Sequence, residues 1–299
     1  MRILLIGGNG QVGHALRRSL APLGQVVVTT RSGLLPGDAT CESLDLAVPG
    51  DAARAVHRLS PDFVVNAAAW TAVDKAETEP DAAFRANAGA VGEIAGACAE
   101  RGVPLVHYST DYVFDGSASR PYLPQDPTAP LGVYGASKLA GETAVRDSGA
   151  RHLILRTAWV YGLHGHNFLR TMLRLGAERE ELRVVADQVG SPTPAWLIAD
   201  VTATILRQGI GSGGTHHLVA AGQTSWHGFA DAIMEEAVAA GLLARRPRVV
   251  PIGTAEYPTP AARPAWSVLD TGSLRQQWAV SLPDWRGALA VTLRPPEAV

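Results

Sequence analysis

A cluster of glycines after the first apolar run constrains the fold of this chain more than any other feature. Residues 2–6 have the length and composition of a buried parallel strand, and apolar residues recur at helical intervals from position 12 onward. Between the two stand Gly7, Gly8, Gly10 and Gly13. Glycines let the backbone turn tightly towards a pyrophosphate, and the helix amino terminus supplies free N–H groups. The order of strand, glycines and helix therefore predicts a dinucleotide-binding turn. Its candidate ligands are Gly7, Gly10, Gln11, Val12 and Gly13.

A second pattern lies at residues 133–142, which read as a helix. Tyr134 and Lys138 are four residues apart and so share one face of it. A neighbouring cation favours phenolate, and we expect it to lower the pKa of Tyr134. Such a pair can donate and accept a proton near neutral pH. The same spacing also occurs on solvated helix faces, so the interpretation depends on the glycine turn at the start of the chain.

Strands and helices alternate through the first half of the chain. We predict strands at residues 2–6, 26–30, 63–66, 104–109 and 152–156, and helices at 12–21, 51–59, 80–101 and 131–148. This order predicts an α/β fold with a doubly wound parallel sheet of the Rossmann type.

Beyond about residue 160 the pattern loosens, and glycine, proline and tryptophan become frequent. This change predicts a smaller C-terminal α/β lobe that binds substrate. Residues 213–219 read as a further strand of the main sheet, so the two parts interleave. We expect residues 1–162 with about 189–220 to form the dinucleotide-binding domain, and about 163–188 with 221–299 to form the substrate lobe.

Composition excludes several classes of protein. The 299 residues allow an ample core, and a charged fraction of 18% with a net charge of −2 gives no reason to expect a nucleic-acid partner. The apolar start is too short for a signal peptide or a membrane span. Cys41 and Cys98 form neither a disulfide framework nor a metal-binding spacing. We therefore expect reduced thiols and a cytoplasmic protein.

The end of the second strand bears on the choice of cofactor. An acidic residue there would bind the ribose hydroxyls and repel a 2′-phosphate. The chain instead has Arg31 within a Thr-Thr-Arg-Ser run, which suits a phosphate dianion. This predicts NADPH, with NADH still possible and a solvated role for Arg31 as the alternative.

Other candidates lie at the same edge, where parallel sheets bind their ligands. Asp45 and Leu46 fall where a third strand would end, and the Asp45 carboxylate either accepts from the adenine amino group or begins a turn. Further cofactor candidates are Ala67, Ala68 and Ala69.

Several longer strings resemble the dTDP-4-dehydrorhamnose reductase family of the extended short-chain dehydrogenase/reductases. They are STDYVFDG at 109–116, VYGASKLAGE at 133–142, RTAWVY at 156–161, DQVGSPT at 187–193 and YPTP at 257–260. The resemblance spans almost the whole chain. It implies reduction of the C4 ketone of dTDP-4-dehydro-L-rhamnose to dTDP-L-rhamnose, in the biosynthesis of deoxysugar nucleotides.

The resemblance also implies the site residues. The triad of the family corresponds to Thr110, Tyr134 and Lys138: the tyrosine protonates the ketone oxygen, the lysine holds the phenol pKa down, and the threonine orients the oxygen. Tyr134 and Lys138 are also expected among the cofactor-binding residues, with Lys138 contacting the nicotinamide ribose. Asn87 is expected to brace the catalytic loop. Tyr112 and Trp159 match positions that flank the sugar, Asn167, Gln188 and Arg263 are candidates for the nucleotide side, and Thr71 and Val73 border the cavity.

Alternatives remain open at this point. A 4,6-dehydratase uses an Asp-Glu pair after the threonine, whereas here Asp111 is followed by Tyr112, and Asp111 is either functional or a turn residue. A 4-epimerase, a reductase of another 4-keto-6-deoxy nucleotide sugar such as a dihydrostreptose precursor, and a non-catalytic regulatory subunit carry much the same motifs.

The chain departs from the family where well-studied members bind a divalent metal at a dimer interface. Ala15 and Trp196 replace two glutamates, and a cation needs carboxylate oxygens. We therefore expect no metal, and a monomer or weak homodimer in place of the metal-bridged dimer. Thr30 stands where some members carry the acidic ribose ligand, which again favours NADPH.

Overall fold

A seven-stranded parallel sheet forms the centre of the molecule in the computed structural model, which describes residues 1–294. Its strands are β1 (Arg2–Ile6), β2 (Gln25–Thr30), β3 (Glu42–Ser43), β4 (Phe63–Asn66), β5 (Leu105–Thr110), β6 (His152–Thr157) and β11 (Gly214–His217). From edge to edge the order is β11-β6-β5-β4-β1-β2-β3. The order reverses direction between β1 and β4, and ligands of such sheets bind at this switch point.

Helices cover both faces of the sheet, because alternate residues of a strand point to opposite sides. Ile3 and Leu5 of β1 join one buried cluster, and Leu4 and Ile6 join the other. The helices of the chain are α1 (Gln11–Leu20), α2 (Asp51–Leu59), α3 (Val73–Thr78), α4 (Pro80–Phe84), α5 (Ala90–Arg101), α6 (Val133–Asp147), α7 (Phe168–Glu178), α8 (Ala195–Gln208), α9 (Trp226–Ala239), α10 (Gly272–Trp278) and α11 (Trp285–Leu293).

A separate apolar cluster lies beyond the main sheet. It joins α7, α9 and α11 around Leu169, Phe229 and Leu289. The short strands of this half are β7 (Val160–Tyr161), β8 (Glu181–Val185), β9 (Val189–Gly190), β10 (Thr193–Pro194), β12 (Thr224–Ser225) and β13 (Arg248–Ile252). β13 pairs with β8 in parallel. The predicted doubly wound sheet with a smaller α/β lobe is confirmed, while the residue boundaries of the two domains stay a prediction.

The predicted strands and helices agree with the structure to within about two residues. The helical stretch predicted over residues 80–101 is present with the expected bounds, but a π-helical segment, Arg85–Gly89, interrupts it between α4 and α5. The buried side chain of Asn87, in that segment, is bonded to the backbone of Trp70. Such π-bulges often mark functional sites.

Two further expectations concern the whole chain. The strand expected at residues 213–219 is present as β11, which pairs with β6. Within residues 1–294, none of the helices combines the length and the apolar character needed to cross a bilayer.

Candidate active site

The glycine turn connects β1 to α1 at the carboxyl edge of the sheet. Gly7 and Gly8 donate backbone hydrogen bonds to the Thr29 carbonyl at 3.1 and 3.0 Å. Gly7 has a φ of +86°, and a Cβ there would lie 2.8 Å from the backbone of Ala68. A Cβ at Gly13 would collide with the Gly7 carbonyl. Glycine is therefore required at both positions, and the turn packs directly against the loop after β4.

The start of α1 fits a dinucleotide pyrophosphate. Gly10 is the N-cap and offers no side-chain acceptor, and the first turn contains no acidic residue. Gln11, Val12 and Gly13 thus begin a helix whose N–H groups face the glycine turn without a competing carboxylate. Free N–H groups at a helix start bind phosphate well. The candidate cofactor residues of the turn are brought together as expected.

The residues that we expect to bind the adenosine half of the cofactor are more exposed to solvent. Arg31 is exposed just after β2, and its guanidinium makes no hydrogen bond or ion pair with residues 1–294. Thr30 is buried, and its hydroxyl exchanges hydrogen bonds with the backbone of Leu34. The Asp45 carboxylate accepts from the Ala47 N–H at 2.9 Å, so it begins a turn. Of these side chains, Arg31 is the one free to meet a 2′-phosphate.

The loop after β4 forms the middle of the site. Ala67 N–H donates to Ile6 at 2.9 Å, and Ala68 N–H donates to the Asn66 side chain at 3.1 Å. The loop continues through exposed Thr71 to Val73, the first residue of α3. Leu46, another cofactor candidate, accepts a hydrogen bond from Arg85 Nε through its backbone carbonyl at 2.9 Å. The bonds of Ala67 and Ala68 fix the backbone that borders the glycine turn.

The three triad candidates meet where β5 ends beside α6. Thr110 is the last residue of β5, and its hydroxyl donates to Asp111 Oδ1 at 3.0 Å. Tyr134 is the second residue of α6, and Lys138 lies one turn further on. Lys138 is only 3% exposed, and its Nζ donates to the Tyr108 carbonyl at 2.7 Å. The helix and the strand thus hold a hydroxyl, a phenol and an amine at one edge of the sheet.

The expected lowering of the Tyr134 pKa is wrong. Burial raises the pKa of Tyr134 to about 12, and the nearby Thr110 hydroxyl only partly offsets this, while the Asp111 charge raises it further. The Lys138 ammonium is directed to the Tyr108 carbonyl, and burial lowers its own pKa to about 8. Desolvation disfavours the charged form of both groups and is the largest cause of both pKa shifts.

Asp111 is more deeply buried than its place in a short turn suggested. It is 2% exposed, and burial raises its pKa to about 6, although hydrogen bonds with Ser267 and Thr110 act in the opposite direction. Its Oδ2 atom has no partner within residues 1–294. Asp111 is thus a buried carboxyl beside Thr110 and Tyr134, and whether it is functional or a turn residue stays open.

Aromatic rings form the wall next to the phenol. The Tyr112 ring meets the Tyr134 ring edge-on, with centroids 5.5 Å apart. Trp159 follows β6 and stacks on Trp226, with centroids 3.5 Å apart and planes 4° apart. Trp159 adopts a φ of +48°, which is costly for a bulky residue. Of the two sugar-side candidates, Tyr112 packs against Tyr134 and Trp159 packs against Trp226, and their expected contacts with the sugar stay predictions.

The three nucleotide-side candidates have partners within the protein. Arg263 donates to both carboxylate oxygens of Asp74, at 3.0 and 2.8 Å. Asn167 caps α7 and donates to the Gln11 side chain at 2.8 Å. The amide of buried Gln188 donates to the Thr254 hydroxyl at 3.0 Å. Their expected contacts with nucleotide stay predictions, and Asn167 connects the second half of the chain to the cofactor turn.

Sequence reasoning missed three side chains that support the site: Trp226 behind Trp159, Ser267 beside Asp111, and Glu77, which contacts the start of α6. Each acts on a residue far away in the sequence. The metal expectation also stays a prediction, although no cluster of three or more potential ligands occurs among residues 1–294.

The chain matches known proteins over almost its whole length. The family model described as the RmlD substrate binding domain matches residues 1–296. A dTDP-4-dehydrorhamnose reductase of Burkholderia thailandensis is 50% identical over 98% of both chains. The enzyme of the same name from Escherichia coli K12 is 47% identical over 96% of this chain and 95% of its own length.

A crystal structure of dTDP-4-dehydrorhamnose reductase from Bacillus anthracis, in complex with NADP, superimposes with a TM-score of 0.88. It is 34% identical and covers 97% of this chain and 98% of its own.

Proposed function

The chain belongs to the RmlD family of dTDP-4-dehydrorhamnose reductases, and on that premise we propose that it reduces the C4 ketone of dTDP-4-dehydro-L-rhamnose to dTDP-L-rhamnose with NADPH. The observation that carries the proposal is the meeting of Thr110, Tyr134 and Lys138 at the edge of the sheet where the glycine turn lies. A phenol and a hydroxyl at that edge suit a ketone oxygen that must gain a proton.

The residues of the chain account for the proton and the charge. The bound cofactor supplies the hydride to C4, so negative charge grows on the ketone oxygen. Tyr134 gives its phenol proton to that oxygen and is left as a phenolate. Because the pKa of Tyr134 is raised to about 12, the phenol keeps its proton at neutral pH until the oxygen takes it. Thr110 orients the oxygen.

Lys138 stabilises the phenolate that this transfer creates. With a pKa lowered to about 8, its amine is mostly an ammonium at neutral pH. A cation in a buried site interacts more strongly with a new anion than it would in water. Lys138 thus favours the proton transfer by stabilising its anionic product, which offsets part of the rise that burial causes in the Tyr134 pKa.

The rival activities make different demands. A 4,6-dehydratase needs a second acid–base residue after Asp111, and Tyr112 occupies that position. A 4-epimerase keeps its cofactor and consumes no reductant. A silent subunit binds cofactor without turnover. None of these gains a specific supporting contact from the residues around Tyr134.

The test is an assay of the purified protein with NADPH and a panel of 4-keto-6-deoxy nucleotide sugars. We expect dTDP-4-dehydro-L-rhamnose to oxidise NADPH stoichiometrically and to yield dTDP-L-rhamnose, identified by NMR. The Tyr134→Phe variant should bind NADPH but react about 10²–10⁴-fold more slowly. Faster turnover of another sugar, epimerisation without NADPH consumption, or binding without turnover would each replace the proposal with the corresponding rival.

Further proposals concern the oligomeric state, the cellular location and the domain boundaries of the protein. Ala15 and Trp196 supply no carboxylate oxygen, which supports a monomer or weak homodimer without a bridging metal. The expected cytoplasmic location and the expected domain boundaries are likewise proposals. Sedimentation with and without a chelator tests the first: a dimer that a chelator dissociates would contradict it.

A further inference from the structure

Helix α6, which carries Tyr134 and Lys138, begins without a capping side chain of its own. Its N-cap is Gly132, and the first turn contains no acidic residue. The first N–H groups of any helix have no partner within the helix. At α6 the Glu77 carboxylate of α3 supplies one, because its Oε1 accepts a hydrogen bond from the Val133 N–H at 2.9 Å.

Gly132 leaves the space that this carboxylate occupies. A Cβ at Gly132 would lie 2.6 Å from Glu77 Oε1. The backbone of Gly132 has φ −148° and ψ 175°, a region that any L-residue adopts. Backbone strain therefore does not explain the glycine, whereas the position of Glu77 does.

The bond reaches the residue directly before the catalytic phenol. The carbonyl of Tyr134 is held from the other side, since Ser137 Oγ donates to it at 2.8 Å. Asn87 Nδ2 donates in turn to Ser137 Oγ at 3.0 Å. The backbone on both sides of Tyr134 is thus held: the N–H of Val133 by Glu77, and the carbonyl of Tyr134 by Ser137. A carboxylate at a helix start also interacts favourably with the helix dipole.

We propose that Glu77 is a positioning residue for the reduction: its carboxylate caps α6 from α3 and so fixes where the Tyr134 phenol lies. This inference rests on the proposed function. A misplacement of about 1 Å at a reacting group can cost about 100-fold in rate. Glu77 does not need to touch the substrate for its loss to slow proton transfer.

The first test compares Glu77→Ala with Glu77→Gln and with Glu79→Ala. Glu79 is the matched control, because it ends the same segment and pairs with Lys75 at 3.0 Å on the surface. In single-turnover reactions we expect Glu77→Ala to lower the rate about tenfold to about 100-fold, with an unchanged Kd for NADPH and a larger solvent isotope effect. Glu77→Gln keeps an acceptor oxygen and should stay within about threefold of the wild type, as should Glu79→Ala.

A rescue experiment separates positioning from a general loss of structure. In the Glu77→Ala background, Gly132→Ser has room for a side chain that is among the preferred N-caps. We expect the double variant to recover most of the lost rate. Gly132→Ser alone should be impaired, but less than Glu77→Ala, because its Cβ would push aside only the carboxylate end of the flexible Glu77 side chain. If Glu77→Ala does not fold, the rates of Glu77→Gln and Gly132→Ser still test whether the Glu77 carboxylate positions α6.

Amide hydrogen exchange of residues 133–136 gives a readout that is independent of turnover. Faster exchange in Glu77→Ala, reversed in the double variant, supports the cap even if the wild type reduces none of the sugars, in which case only the proposed function fails. The positioning role is overturned if Glu77→Ala reacts within about twofold of the wild type, or if Glu79→Ala loses as much. It is also overturned if the double variant recovers neither rate nor protection.

Discussion

Lys138 Nζ lies 2.7 Å from the carbonyl oxygen of Tyr108, so the ammonium one turn after Tyr134 is anchored to strand β5. Lys138 is almost fully buried there, and burial lowers its pKa to about 8. Burial raises the pKa of Tyr134 to about 12. The pKa values of Tyr134 and Lys138 therefore differ by several units. Of the two side chains, only Lys138 titrates near the pH at which the protein is expected to work.

The first prediction follows from these two groups. We expect kcat/KM for NADPH, which reports on the free enzyme, to fall as pH rises through about 8. The pKa of Lys138 is lowered, so its ammonium is present below about 8 and lost above it. Tyr134 keeps its proton through this pH range and therefore adds no further pH dependence to kcat/KM. The profile is measured by NADPH oxidation, and Lys138→Met should be slow and lack the limb. A flat wild-type profile up to about pH 10 would exclude this assignment.

The cofactor preference depends on Arg31. Its exposed guanidinium has no partner within residues 1–294 and suits a 2′-phosphate. A hydrogen bond to a charged group is worth about 1.5–3 kcal/mol, so Arg31→Ala should raise KM for NADPH about tenfold or more. KM for NADH should change little. Arg58→Ala is the control, because Arg58 already pairs with Glu42 at 2.7 Å. Equal effects on both cofactors would show that Arg31 does not contact the phosphate.

A buried ion pair joins helix α6 to strand β6. Arg156 donates to both oxygens of Glu142, at 2.8 and 2.7 Å, and the two side chains are 3% and 0% exposed. Burial alone would raise the pKa of Glu142, but the bonds and charge of Arg156 lower it overall. The depressed pKa contributes stability above the unfolded value of about 4.5, and that contribution is lost as pH falls.

Removing one partner of this pair should be costly. We expect Glu142→Ala to lower the free energy of unfolding by about 3–5 kcal/mol, since Arg156 would stay buried without its partner. Glu178→Ala, which breaks an exposed pair with Arg174, should cost less than about 1 kcal/mol. Urea unfolding at neutral pH measures both. Similar losses in the two variants would mean that burial does not set the strength of the Glu142 pair.

Sequence alone predicted the parts of the site that depend on neighbours in the chain. The turn at Gly7 and the shared helix face of Tyr134 and Lys138 are of this kind, because spacing and residue type determine them. The main sheet followed from the alternation of apolar runs with helical patterns. These features are confirmed in the structure.

The remaining features depend on contacts that spacing does not encode. Glu77 meets Val133 across 56 positions, and Arg263 meets Asp74 across 189. Arg263 therefore has a carboxylate partner that its sequence position did not indicate, and its expected contact with the nucleotide stays a prediction. The expected direction of the Tyr134 pKa shift was wrong for the same reason, because burial is decided by packing and is the largest cause of the shift.

The stacked pair of Trp159 and Trp226 supports the last prediction. Trp159 has a φ of +48°, and residues in such regions cost on the order of 1–3 kcal/mol unless their surroundings hold them. The parallel indole of Trp226 lies against one face, with centroids 3.5 Å apart. On another side, a Cβ at Gly190 would lie 2.5 Å from Trp159 Cε2, so the absence of a side chain there leaves room for the ring. Trp226 therefore determines where the Trp159 ring lies.

If Trp159 flanks the sugar, Trp226→Leu should raise KM for the nucleotide sugar by up to about tenfold, since an aromatic pair is worth about 0.5–1.5 kcal/mol. The Kd for NADPH should not change, because the glycine turn and Arg31 do not contact this stack. Trp226→Phe keeps an aromatic face and should have the smaller effect. Both variants should lose the exciton signal of two stacked indoles in circular dichroism. Loss of that signal with an unchanged KM would show that the position of Trp159 does not matter for the sugar.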